Sequence, residues 1–169
     1  MAITNLKKNT RSPNQKNKHL ITFLNRLLRY GPLLVMLSSI IYASGDHMSS
    51  PHTSRFIQPL LKWLFPYATQ ETIEILHIGI RKLAHFTEYA LLGFFIARAF
   101  RTSTKVWLKL FWFRWGSGSI VVFAFLDEYH QSFVPSRMSS VFDSLIDILG
   151  GLSMLFFIRW YQNRSREKT

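Results

Sequence analysis

The chain has 169 residues, with 21 Lys and Arg against 9 Asp and Glu and a formal net charge of +12. It contains no cysteine, which excludes disulfide frameworks, thiolate metal sites, iron–sulfur clusters and cysteine nucleophiles. Apolar residues make up 48% of the chain, too many for a disordered polycation, so the charge marks either a nucleic-acid surface or the basic flanks of membrane segments.

Residues 1–26 are polar and basic, with Lys7, Lys8, Arg11, Lys16 and Lys18, and read as a disordered arm. An apolar run from Leu27 to Ala43 follows, with Arg29, Gly31 and Pro32 near its start. Arg29 can snorkel to an interface. The uninterrupted part, Leu33 to Ala43, also has the length of a signal-peptide core, so a cleaved leader is the alternative to an uncleaved anchor. The long basic arm favours the anchor. Residues 44–74 hold Gly45, Pro51, Pro59 and Pro66 and read as a loop. Within it Phe56, Ile57, Leu60, Leu61, Trp63, Leu64 and Phe65 recur at helical spacing, which predicts a short interfacial helix. His47, His52 and His77 are read as loop residues rather than ligands.

A second apolar span, Ile75 to Ala97, is interrupted by Arg81, Lys82, His85 and Glu88. Residues 98–114 interleave Arg98, Arg101, Lys105, Lys109 and Arg114 with Trp107, Phe111 and Trp112. Basic residues beside an aromatic belt, with apolar spans on both sides, favour a membrane interface over nucleic acid, and no nucleic-acid partner is expected. A third span, Trp115 to Val134, contains Asp127, Glu128, His130 and Gln131; Pro135, Ser136 and Arg137 form a tight turn. A fourth, Ser139 to Trp160, carries Asp143 and Asp147, and a basic tail occupies 162–169. Each span is near the ~20 residues that cross a bilayer. The expected fold is all-α: an integral membrane bundle of four transmembrane helices over 27–161, plus the interfacial helix in the first outer loop. With both termini cytosolic, seven basic residues lie in the arm through Arg29, five in the 98–114 loop and four from Arg159 onward. Only Arg55, Lys62, Arg81, Lys82 and Arg137 remain outside, the bias expected of that orientation.

Five of the 9 carboxylates (Glu88, Asp127, Glu128, Asp143 and Asp147) fall inside apolar spans. Ionisable groups there are costly and mark functional sites by default. Lys82, His85 and Glu88/Tyr89 share one helical face, and Asp127/Gln131 and Asp143/Asp147 are i, i+4 pairs. The topology brings all of them, with Arg137, to one level near the outer leaflet. Gly150 and Gly151 follow where a neighbouring helix can approach closely.

Lys82, His85, Phe86, Glu88 and Tyr89 form K-x-x-H-F-x-E-Y. Asp127, Glu128, Gln131, Phe133, Pro135 and Arg137 form D-E-x-x-Q-x-F-x-P-x-R, followed by Asp143 and Gly150. Over about residues 33–158 this pattern resembles the VanZ-like membrane proteins, whose prototype is associated with low-level teicoplanin resistance. Ser136 replaces the usual glycine of P-G-R, and Asp147 stands where Asn is common. The resemblance implies a multi-pass envelope protein and no established reaction.

Three classes of function suit the cluster. The first is an enzyme acting on a lipid headgroup or lipid-linked envelope precursor. Its candidate catalytic groups are Glu128, Asp127, His85 and Glu88, and its candidate substrate contacts are Arg137, Lys82, Gln131, Tyr89, Asp143 and Asp147. No G-x-S-x-G nucleophile is present, so water is the expected attacking group. A divalent metal is compatible with these oxygen and imidazole donors, although no diagnostic spacing such as H-E-x-x-H occurs. The second class is a non-catalytic ligand-binding or small transport protein. The third is polar helix packing alone, in which intramembrane hydrogen bonds are worth only ~0.6 kcal/mol each. Oligomeric state is left open.

Overall fold

The computed structural model of the chain describes residues 13–46, 49–135, 137 and 140–167. It has six helices and, among the described residues, no strand: α1 Pro13–Ala43, α2 Ser50–Leu64, α3 Gln70–Arg101, α4 Val106–Leu110, α5 Trp112–Gln131 and α6 Val141–Arg166. By length and composition, two stretches qualify as membrane spans, Asn17–Ala43 and Val141–Arg166. The charges within α3 dilute its apolar character, although its 32 residues extend about 48 Å, longer than the ~30 Å apolar layer of a bilayer.

Several boundaries differ from expectation. Residues 13–26, expected within the unstructured arm, are helical: Pro13 suits a helix start, and Lys, Gln, Leu and Arg are good helix formers. Residues 1–12 of the arm lie outside the described residues, as do His47, Ser136 and Ser139. His52 and His77 are not loop residues. His52 belongs to α2 and meets Asp46 at 3.5 Å, while His77 is buried in α3 beside Thr53. The basic 98–114 segment contains the short α4, and α6 continues through most of the expected tail to Arg166.

The ends of the helices follow local chemistry. Thr69 caps α3 by accepting the Thr72 N–H at 3.3 Å, and Ser140 caps α6 by accepting that of Phe142 at 3.3 Å. Both helices carry an acid in the first turn and arginines in the last, the arrangement favoured by the helix dipole. α2 has Pro51 in its first turn and stops before Pro66. Inside α1, Pro32 has no N–H to give the Leu28 carbonyl. Arg98 of α3 fills that vacancy, donating from Nη1 to Leu28 O at 2.9 Å.

α3 is the hub. Its Lys82, His85 and Phe86 meet Asp143, Asp147 and Gly150 of α6 in ascending order, so these helices run parallel. α1 and α5 run the other way: Ser44 meets Asp127 at one end, while Tyr30 meets Ser103 (3.1 Å) and Arg98 meets Leu28 toward the other. The α3–α6 seam is tight because it is lined with glycine. A Cβ at Gly150 would strike the Phe86 carbonyl, one at Gly93 would lie 2.6 Å from Gly151 O, and one at Gly151 would lie 2.6 Å from Ile120. The close approach anticipated at Gly150 and Gly151 is therefore present. Ile40, Tyr89, Leu92, Ile96, Ile120, Ala124 and Leu155 fill the core. The outside stays apolar, with Val35, Leu83, Val122, Phe125, Leu149 and Phe157 exposed, an extent unusual for a protein surrounded by water.

Candidate functional site

The polar residues of α3, α5 and α6 meet at the end of the bundle where α1 finishes. At their centre stand His85, Asp127 and Asp147, one from each helix, with a ligand-type atom of each within 4.8 Å of the others. Asp147 is 1% exposed and Asp127 7%. His85 Nδ1 lies 3.4 Å from Asp147 Oδ1, ion-pair range, yet neither atom has a well-aligned hydrogen bond among the described residues. Asp127 is held on both sides: Ser44 Oγ donates to Oδ1, and Gln131 Nε2 donates to Oδ2 at 2.9 Å. The i, i+4 spacing of Asp127 and Gln131 makes the second bond local to α5.

The other expected site residues surround this trio at different depths. Glu88 is half-buried and within electrostatic reach of His85, Asp127, Asp147 and Arg137. Lys82 and Asp143 pair at 3.3 Å, Lys82 exposed and Asp143 partly so, and their attraction is weak. Tyr89 is wholly buried and donates to the Phe123 carbonyl at 3.2 Å, joining α3 to α5. Glu128 accepts the Ser140 N–H, which fixes the segment entering α6. Arg137 donates from Nη2 to the Ala43 carbonyl at the end of α1. Burial and neighbouring Arg81 draw the Arg137 guanidinium below its ordinary value, against the opposing pull of Asp127, Glu88 and Glu128.

Beside the trio is a cavity of about 200 Å³ between α2, α3 and the end of α1. Arg81, His85, Glu88 and Arg137 supply its charged lining, while Ala43, Ile57, Ile80 and Ala84 make its walls mostly apolar. Thr53 of α2 reaches across to Arg81, whose Nη1 donates to Oγ1 at 3.5 Å. Spacing along the chain did not single out Ser44, Thr53 or Arg81. Ser44 sits in the turn-like sequence S-G-D, and its partner Asp127 is 83 positions away. Arg81 shares its neighbourhood with the motif residue Lys82 but projects toward α2 instead of α6.

An all-helical bundle with an apolar exterior, two helices apolar enough to span a bilayer and a buried acid–imidazole trio suggests a membrane protein with a polar core. Residues 27–162 match the family model described as VanZ/LLP1, most of the chain, and the protein belongs to that family. No curated protein and no solved structure matches it.

Proposed function

We propose that this chain is a multi-pass envelope membrane protein, with α1, α3, α5 and α6 crossing the bilayer and both termini cytosolic. At the outer-leaflet level its polar end receives the anionic headgroup of a membrane lipid or lipid-linked envelope precursor. The observation that carries this reading is the cavity beside α2, where two guanidinium groups, Arg81 and Arg137, stand with His85 and Glu88 among the apolar walls of Ala43, Ile57, Ile80 and Ala84. Guanidinium forks match phosphate and carboxylate oxygens, and apolar walls suit the glycerol or isoprenoid stem beneath such a headgroup. α2 supports the placement. Leu61 is buried on its inner face, while Phe56, Leu60 and Trp63 project outward, as in a helix lying on an interface.

His85 and Glu88 stand at the same cavity and supply a proton-accepting or proton-donating pair beside the bound headgroup. Glu128, engaged with the Ser140 N–H, has a supporting role in this reading. The teicoplanin association implied by the family resemblance fits a protein that binds or alters surface precursors and so changes what such a drug meets.

The test is native mass spectrometry of the purified protein in detergent with phosphatidylglycerol and phosphatidylcholine. Phosphatidylglycerol should be retained preferentially, and Arg137→Gln or Arg81→Gln should weaken its retention about tenfold, the loss of one charge-assisted hydrogen bond. Equal retention of both lipids by the wild type overturns the reading. Reporters fused after Arg166 and within residues 46–56 should report cytosolic and external positions respectively; reversed sidedness overturns the topology.

A further inference from the structure

We infer that His85, Asp127 and Asp147 form a binding site for one divalent transition-metal ion. The inference stands apart from the headgroup reading, since it needs only the side chains at the junction of α3, α5 and α6.

The donor set is the first ground. Two carboxylates and one imidazole, contributed by three helices, have ligand atoms within 4.8 Å of one another. Oxygen donors alone would suit Mg²⁺ or Ca²⁺; the imidazole shifts the preference toward ions such as Zn²⁺. Two ligands bound at ~2.05 Å and spread by a tetrahedral angle stand about 3.3 Å apart. His85 Nδ1 and Asp147 Oδ1 are separated by 3.4 Å. The remaining separations need to close by at most about 1.5 Å, within the range of side-chain adjustment.

The second ground is independent of the cluster's composition. Asp147 is 1% exposed, yet its Oδ1 has no hydrogen-bond partner among the described residues, and neither has His85 Nδ1, which faces it. A carboxylate oxygen withdrawn from solvent and faced only by a misaligned imidazole nitrogen 3.4 Å away is poorly compensated, and a cation between these two atoms would serve both. The charges facing the position agree. Asp127, Asp147 and Glu88 supply three carboxylates against the Arg137 guanidinium and the His85 imidazole. Lys82 does not balance them, being paired outside with Asp143.

The third ground is the support around Asp127. Ser44 and Gln131 each donate to one of its oxygens, leaving further lone pairs free for an ion. Partners that orient a ligand in this way typically change metal affinity 10- to 100-fold when removed. With three protein ligands, a fourth position is left for water or for an oxygen of a bound molecule.

The experiment loads the full-length protein, stripped with chelator in detergent, with Zn²⁺ and measures retained metal by elemental analysis after dialysis. One equivalent per chain is expected for the wild type. Asp147→Asn and His85→Ala should lose at least tenfold in affinity and Ser44→Ala about tenfold, while Glu74→Gln, an exposed acid elsewhere on α3, should bind as the wild type does. Co²⁺ in the same site should give visible absorption bands that Asp147→Asn lacks. Should Asp147→Asn fail to fold, a rise in the wild-type melting temperature with Zn²⁺ but not Mg²⁺ carries the test. Wild type that retains no zinc, or variants that retain as much, overturns the inference. Zinc retention without preference for phosphatidylglycerol leaves this site standing and removes the headgroup reading; the reverse result removes this site alone.

Discussion

The two ends of the bundle handle charge in opposite ways. At the end formed by α4 and the last turns of α3 and α6, a cavity of about 840 Å³ is lined by Lys109, Arg114, Arg159 and Arg166 among Phe111, Trp112 and Phe113. Cations there rest on ring faces, Arg159 4.8 Å from the centre of Phe113 and Arg164 4.5 Å from that of Trp160. Their heads stay open to the surroundings. At the other end groups of both signs meet, and Asp127, Asp147 and His85 are withdrawn into the bundle, where Ser44 donates to Asp127 and His85 faces Asp147. Open charges set orientation and adhesion; buried ones must be positioned, and positioning is what a site requires. The larger cavity is thus the less specific of the two.

Substitutions at each end can break or sharpen this contrast. The largest effect is expected at the glycine seam beneath the polar end. Gly150→Ala places a Cβ against the Phe86 backbone and should destabilise the protein by about 3 kcal/mol, the upper range for overpacking, read as a lower melting temperature in detergent. A change within 0.5 kcal/mol would mean that α3 and α6 can separate without cost. Ser44→Ala comes next. It removes a donor to the buried Asp127 carboxylate and should cost about 1.5–3 kcal/mol, while Ser39→Ala, at a site bonded only to its own helix, should cost much less. Tyr89→Phe deletes the bond to Phe123 O and should cost about 1 kcal/mol. The smallest effect belongs to the basic end. Arg164→Gln should leave the melting temperature unchanged, and a pronounced loss would show that this end is as tightly organised as the other.

The helices were legible because apolar spans and proline-bearing breaks alternate along the chain. The polar face of α3 was legible because Lys82, His85 and Glu88 recur at helical intervals. Legibility ended at contacts between helices. Periodicity places Asp127 and Asp143 at one level, but it cannot show that Asp143 turns outward to Lys82 while Asp147 turns inward to His85. It also cannot pair Ser44 with an acid from another helix. The start of α1 was hidden by composition: polar residues between Pro13 and Arg26 resemble a flexible arm, although they propagate a helix well once an apolar segment follows.

The bond that compensates for Pro32 has a mechanical consequence. Arg98 grips the Leu28 carbonyl at the middle of α1, and Arg137 grips the Ala43 carbonyl at its C-terminal end. α1 cannot slide by a helical turn against the rest of the bundle without releasing both. Fifteen residues separate the two grips, about 23 Å along the axis, somewhat less than the ~30 Å apolar depth of a bilayer. In a membrane the pair acts as a fixed gauge. A thicker or thinner lipid layer must deform around the protein or tilt it as one body, because α1 has no freedom to adjust alone.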